Sequence, residues 1–446
     1  MPGALDAAPQ PLLVGAASTR RPALAAVASL SMIVWVLGTL LGEGLAQAGA
    51  GLALLLGLVA WKQLRIPKDL RAFAALTLAL VAYQALSPFL ALAIGNASEL
   101  PRSGRWTQAL DTLAPLSLAA ISTFGVPWAA LAWTLGIGWL AEAAVASFQI
   151  AVPWPWASLG PFKFPMDRLH EDFARDFGGP VKRAGIGLFF HRLRFAHGAA
   201  AMAGPALALT LMSSTFRRRA LAAAALVVVL GCAYLSYARA ALGAALVAVV
   251  VGLASLLSGR QRLASAAAVA LLAAGALALS PTWRQRAANA WLNLQEGERA
   301  MALQTGWKIV QEHPVLGVGF GGYGGAAKAH LQPDWPEWTR TILQTSAHNV
   351  ALTVWAETGI FGLALYLAQQ LALALALWRR ARGRSIAAAG ALLSLIAFHL
   401  LGLVHYTQFH TGVALTFALL WGLGLASPGV AATTADEPES PHRVGE

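Results

Sequence analysis

The chain has 446 residues, of which 57% are hydrophobic and only 12% charged. Soluble domains carry about 25% charged residues, so an ordinary water-soluble enzyme and a disordered chain are both excluded. The formal net charge is +12, and the lone cysteine, Cys232, lies in an apolar run, which excludes an internal disulfide and a cysteine metal cluster.

Apolar stretches recur at 23–41, 45–61, 72–94, 109–125, 127–151, 195–213, 220–236, 240–257, 264–280, 350–377, 386–404 and 411–426. Each has, or nearly has, the roughly 20 residues a helix needs to cross a hydrocarbon core. The alternating ten-residue segments of a transmembrane barrel are absent. The expected fold is therefore all-α, a polytopic transmembrane helical bundle of about 12 spans. Residues 1–280 would hold helices 1–9, with a first outer segment at 152–194. A large outer loop would follow at 281–349, then helices 10–12 at 350–426 and a tail at 427–446.

Side is read from lysine and arginine in the short loops. An inside amino terminus places Arg20 and Arg21, Lys62 to Arg71, Arg217–Arg219, Arg260 and Arg262, and Arg379–Arg384 all on the cytoplasmic face. Both termini then lie inside, and both long polar segments lie outside. Arg20-Arg21, an apolar core and Leu45–Ala48 loosely resemble a cleaved signal peptide. The core is long and another span follows at once, so an uncleaved first helix is expected.

Chemistry is expected at the outer mouth. His348-Asn349 precedes the span that carries Glu357, and histidine is the side chain able to exchange protons near neutral pH. Arg239 follows Ser236-Tyr237-Ala238 at the edge of a span, where a guanidinium is costly unless it snorkels or finds an anion. Its planar fork suits a phosphate. His191, Arg194 and His197 are spaced to share one helix face, with Arg192 pointing away and Lys182 and Arg183 just before.

In the second loop, Arg299 to Gln311 has helical composition and Pro314 would end that helix. The run from His313 through Gly317, Gly319, Gly321 and Gly322 to Tyr323 lacks the Gly-Lys-Ser/Thr of a phosphate loop. A turn that exposes backbone N–H groups to a ligand is the expectation instead. His399, His405 and His410 lack the i, i+4 spacing of a helical zinc motif, so no metal is expected. The loop acids Asp167, Glu171, Asp172 and Asp176 alternate with arginines, as in surface ion pairs. Glu142 and Glu357 are the acids most embedded in spans, functional candidates unless each pairs with an arginine.

The ordered set is Ser236-x-x-Arg239, a long outer loop with Arg299 and Trp307, His313-Pro314-x-x-Gly317-x-Gly319, Ala347-His348-Asn349 and Glu357-Thr358-Gly359-Ile360-Phe361-Gly362. It resembles the O-antigen ligase/O-antigen polymerase superfamily, most closely the O-antigen ligases of the WaaL type. Phe190–Ala196 is similar to the basic patch of some ligases.

The resemblance implies a multi-pass glycosyltransferase of the bacterial inner membrane, acting at the periplasmic face. Its donor would be O-antigen on undecaprenyl pyrophosphate and its acceptor lipid A–core oligosaccharide. It would be inverting and would need neither metal nor cofactor; membrane lipids would surround it and no nucleic acid would be bound. By motif match the catalytic histidine falls on His348 and the donor pyrophosphate on Arg239 and Arg299, joined by Arg192, Arg194 and His313. Asn349, Tyr323 and Glu357 would support them. An O-antigen polymerase or a protein O-oligosaccharyltransferase of the same superfamily is the alternative, although only Thr407–His410 separates the last two spans. A transporter is the alternative of another class, and the chain shows no internal repeat or paired broken helices for it.

Overall fold

The computed structural model describes residues 22–60, 62, 66–101, 103–151, 184–189, 191–288 and 297–427. Arg20, Arg21, most of the first outer segment with Lys182, Arg183 and its four acids, and the tail beyond Ser427 lie outside the described residues.

The chain opens with α1 (Pro22–Leu41), α2 (Glu43–Val59), α3 (Arg71–Ala93), α4 (Ser103–Asp111), α5 (Ala114–Ile121) and α6 (Trp128–Ala151). Then come α7 (Arg192–Met212), α8 (Phe216–Leu235), α9 (Arg239–Leu256) and α10 (Gly259–Leu279). The loop between spans folds into α11 (Pro281–Ala288), α12 (Glu298–Glu312), α13 (Tyr323–Ala327) and α14 (Glu337–Leu343). The chain closes with α15 (Val350–Arg382), α16 (Ile386–Gly402) and α17 (Thr411–Ala426). No strand occurs among the described residues.

Among the described residues seven helical segments are long and apolar enough to cross a membrane: α1, Lys68–Ala93, α6, α7, α8, α9 and α15. Four shorter apolar ones, Glu43–Val59, Ala114–Phe124, Ile386–Gly402 and Thr411–Ala426, fall at expected spans. Leu55, Leu58, Val59, Leu263, Leu271 and Leu272 all point outward. An apolar exterior of this extent suits lipid rather than water, and the protein is a multi-pass membrane protein.

The stretch expected as one span at 109–125 is broken between Asp111 and Ala114. Pro115 sits in the first turn of α5, where its missing N–H is harmless, while it disfavours helix in the residues just before it. A polar carboxylate, Asp111, is thereby left at the end of α4 rather than inside a span.

Helix α7 is an alanine- and glycine-rich segment buried along most of its length. Small residues let its backbone approach α16 closely. A Cβ at Gly204 would lie 2.8 Å from the Gly390 carbonyl, and one at Gly390 would lie 2.7 Å from Pro205 Cα.

The bundle has two chemically distinct ends. The 20 residues of α8 run from Arg217–Arg219 to the Ser236 corner, about 30 Å at 1.5 Å per residue. At the arginine end, Arg380 is buried, bonds Asp69 through Nη2 at 2.8 Å and donates through Nη1 to the Ser427 carbonyl. The opposite end gathers the starts of α2, α7, α9 and α15.

Candidate active site

At that end Arg239 and His348 sit on sharply turned junctions. Ser236 Oγ accepts from the Ala238 amide at 3.1 Å, Tyr237 adopts φ 53°, and Arg239 becomes the first residue of α9. Trp283 of α11 packs against this corner, its ring 5.4 Å from Tyr234 and 5.9 Å from Tyr237. The start of α7 is set from α6. Glu142 Oε2 accepts from Leu188 N at 2.7 Å, and Gln149 Oε1 accepts from Ile186 N and Gly187 N. Gly185 N donates to Leu235 O at 2.9 Å, tying this segment to the Arg239 corner. Glu142 is therefore a backbone anchor.

His191 is the N-cap of α7, its Nδ1 accepting from Leu193 N at 3.1 Å. The helix thus starts one residue later than the shared-face reading requires. Arg192, expected to point away, is 7% exposed and turned inward.

The glycine run has a structural task. Helix α15 is broken at Gly359 (φ 64°, ψ −172°). The groups freed by the break are taken up by the His313–Tyr323 segment: Val318 N donates to Ala356 O and Ile360 N to Pro314 O, each at 3.0 Å. Gly317 (φ 67°) lies so close that a Cβ there would meet the Glu357 carbonyl at 2.5 Å. The fully buried Glu357 carboxylate accepts from the amides of Gly321 and Tyr323. The expected ligand-facing N–H groups are thus directed at the protein's own helix break. Tyr323 is buried and donates to Ala302 O on α12 at 3.4 Å, so Glu357 and Tyr323 together dock α12 onto α15.

That docking delivers Arg299, on the first turn of α12, toward His348. His348 has φ 51°, a left-handed conformation in which few non-glycine residues are found. Its amide donates to Ser346 Oγ at 3.2 Å. Asn349 caps α15 by accepting from Leu352 N at 2.9 Å and reaches Leu403 O through Nδ2 at 3.2 Å. Both ring nitrogens of His348 are sheltered, and neither has a hydrogen-bond partner among the described residues. An unpaired sheltered polar group costs about 1–3 kcal/mol. The Tyr406 ring meets His348 edge-on, centroids 5.1 Å apart.

The connector between α16 and α17 completes the cluster, and the sequence reading missed its importance. His405 Nε2 is 3.3 Å from Arg299 Nη2, and its ring meets His197 at 4.8 Å. His410 Nε2 accepts from Arg194 Nε at 2.7 Å, and Arg194 Nη1 donates to Glu43 Oε2 at 2.8 Å. Arg105 lies over the Phe409 ring, 5.8 Å from its centroid. His405 and His410 carried a signal, polar residues in the short connector between two apolar spans, but their spacing was tested only against zinc. Glu43, Asp111 and Arg105 carried none, because nothing local links them to a site far along the chain. His313, by contrast, ends α12 and joins none of the contacts among Arg299, His348 and His405 described here.

Burial and positive charge set the electrostatics. Burial, then the Arg299 guanidinium, pushes His348 down to about 4. Burial, then Arg194 and His191, pushes His410 down to about 3. His405 is held well below its ordinary range by burial, then by His197, Arg299, His348 and Arg192. Arg299 is lowered by burial and then by Arg239, against the opposing charge of Glu298. Arg299 is thus within electrostatic reach of Arg239, His348 and His405, and Arg192 within reach of His405. Burial, then Glu43, raises Asp111 to about 7 despite a hydrogen bond from Thr411. Among the described residues no three histidine, cysteine or acidic side chains are grouped as metal ligands. The arrangement is an anion-attracting mouth in which arginines stand beside neutral imidazoles, His348 among them.

A family model described as O-Antigen ligase matches residues 224–367. The matched segment, about a third of the chain, supports a relationship to the O-antigen ligase/polymerase superfamily. This ligase segment runs from within α8 to within α15 and contains Arg239, Arg299, His313, Tyr323, His348, Asn349 and Glu357. Arg192, Arg194, His197, His405 and His410 come to the same mouth from outside it. No curated protein matches the chain.

Proposed function

We propose that the protein transfers O-antigen polysaccharide from undecaprenyl pyrophosphate to a sugar hydroxyl of lipid A–core oligosaccharide, with His348 as general base. The mouth would face the periplasm of an inner-membrane protein whose termini are cytoplasmic, as the placement of Arg217–Arg219 and Arg379–Arg384 at the far end favours.

The single observation that carries this reading is His348, a neutral imidazole with two unpartnered sheltered nitrogens beside Arg299. Arg239 and Arg299, with Arg192 next to them, supply the positive charge for the donor diphosphate. Arg194, bonded to Glu43 and His410, borders that clamp, whereas His313 closes the other end of α12, about 21 Å along the helix from Arg299, and stands apart from it.

In the reaction the acceptor oxygen bonds the anomeric carbon as the bond from that carbon to the diphosphate oxygen breaks. The hydroxyl proton passes to a His348 ring nitrogen, and undecaprenyl pyrophosphate leaves with its charge held by the arginines. A single displacement inverts the anomeric configuration. Arginine charge stabilises the leaving group, so metal-free catalysis is chemically sufficient. In the free site His348 is a weak base because of its burial first and the neighbouring Arg299 cation second. A diphosphate on Arg299 offsets that cation and raises the basicity of His348 when a substrate is present.

Substitution of His348 by alanine tests the reading. Transfer from lipid-linked polymer to lipid A–core should fall by about 10²–10⁴-fold with normal protein levels in the membrane; near-normal transfer removes His348 as base. A strain lacking the protein separates ligase from polymerase. Core without polymer, with lipid-linked polymer accumulating, supports the ligase. Core bearing a single repeat unit identifies a polymerase.

A further inference from the structure

The arginines of the mouth are held by different chemistry. Arg194 bonds the carboxylate of Glu43 at 2.8 Å, which compensates its charge. Arg299 instead meets a ring nitrogen, with Nη2 3.3 Å from His405 Nε2. A guanidinium has five N–H donors and no acceptor. The contact is a hydrogen bond only if Nε2 offers its lone pair, which makes His405 a neutral imidazole carrying its proton on Nδ1.

The surroundings enforce that state. His405 is 5% exposed. The groups that face it are His197 and Arg192 from α7, Arg299 from α12, and His348 at the head of α15. A second proton on His405 would put Nε2–H against the Arg299 donors and a cation among cations. A carboxylate in its place would bond Arg299 more strongly but would cancel the charge and compete with any anion for the same fork. A neutral imidazole takes one donor and leaves the others, with the full positive charge, to a ligand.

We propose that His405 is a positioning residue, a neutral acceptor that fixes the direction of the Arg299 guanidinium while leaving its charge whole for the donor diphosphate. This rests on the reading of Arg299 as part of the diphosphate clamp.

The test uses full-length protein in detergent, inorganic pyrophosphate as the binding probe, and His405→Ala, His405→Glu and His405→Gln. Misplacement of a charged contact by about 1 Å can cost up to about 100-fold. The alanine and glutamate variants should lose pyrophosphate affinity by tenfold or more within that range, and donor KM should rise with it. The glutamine variant, which retains a neutral acceptor, should recover most of both. Nitrogen-15 spectra of labelled histidine should show Nε2 of His405 unprotonated at neutral pH. A protonated Nε2, wild-type affinity in His405→Ala, or equal losses in the glutamine and alanine variants overturns the proposal. Unchanged pyrophosphate affinity in Arg299→Ala removes the clamp itself, and the proposal with it. Loss in Arg299→Ala but not in His405→Ala removes only the role of His405.

Discussion

Arg194 donates through Nη1 to Glu43 Oε2 at 2.8 Å, joining the heads of α7 and α2 across 151 positions of sequence. Its Nε is meanwhile committed to His410 at 2.7 Å. An arginine already compensated and doubly engaged has less to offer a diphosphate than Arg299. Arg194→Ala should therefore lower kcat/KM by less than about tenfold, since partly exposed ion pairs contribute only about 0.2–1 kcal/mol. Arg299→Ala should lower it by about 10²–10³, the loss typical of one charge-stabilising donor. Steady-state kinetics on the two purified variants decide the matter, and equal losses would return Arg194 to the clamp.

The break in α15 gives a stability prediction. At Gly359 the backbone has φ 64°, and a Cβ would lie 2.0 Å from the Val315 carbonyl. A side chain here is both conformationally strained and obstructed by backbone that has no freedom to retreat. Gly359→Ala should destabilise by at least the roughly 1–3 kcal/mol of a strained residue, lowering the melting midpoint in detergent. Because the same break seats Glu357 under Gly321 and Tyr323, the variant should also lose transfer activity. Gly325, whose added Cβ would meet nothing within 4 Å, is the control position.

Acidification should destabilise the protein. Above about pH 6.5, His348, His405 and His410 are neutral whether the chain is folded or not, and contribute no slope. Below it the unfolded chain binds protons that the folded one refuses, so stability falls as pH drops toward about 4 for His348 and about 3 for His410. Asp111 acts in the opposite direction. Its folded carboxyl, raised to about 7, keeps a proton that the unfolded chain releases above its ordinary 3.8, so its contribution is lost as pH rises. Across these four groups three histidines outweigh one carboxyl, and their combined slope is a loss on the acid side. Melting midpoints between pH 7 and 4 should show it, and His348→Asn should flatten it by up to about 1.4 kcal/mol per pH unit. A midpoint that rises on acidification would contradict the assignment.

The helical bundle was legible in the sequence because each span is encoded locally, by a run of apolar residues long enough for a bilayer. The break at 111–114 was less so, since Pro115 reads equally well as a kink within one span. The site was legible where the chain turns sharply between spans: Arg239 after its serine corner and His348 before its capping asparagine both stand out by position. What stayed hidden was the partnership. The Arg299–His405 contact spans 106 positions, and Glu43 is an ordinary N-terminal helix acid until α7 brings Arg194 beside it. Glycines 317 and 359 were visible as punctuation, but their complementarity is a property of two backbones, which no local pattern encodes.

Trp283 offers a way to disturb the Arg239 corner without touching a charged residue. It is 4% exposed and packs on Tyr234 and on Tyr237, the residue at φ 53° that turns the chain into α9. Each aromatic pair adds about 0.5–1.5 kcal/mol beyond area burial, and removing a buried tryptophan costs about 3–5 kcal/mol. Trp283→Ala should therefore lower the melting midpoint and, by freeing Tyr237 to leave its strained conformation, turn Arg239 away from the mouth. Donor KM should rise more than kcat falls, because the loss is in anion binding and not in proton transfer by His348. Trp283→Phe keeps a ring against both tyrosines and should retain most of the donor affinity. A Trp283→Ala variant with wild-type KM but a lowered midpoint would show that Arg239 is held by α9 alone, with the aromatic stack contributing only to stability.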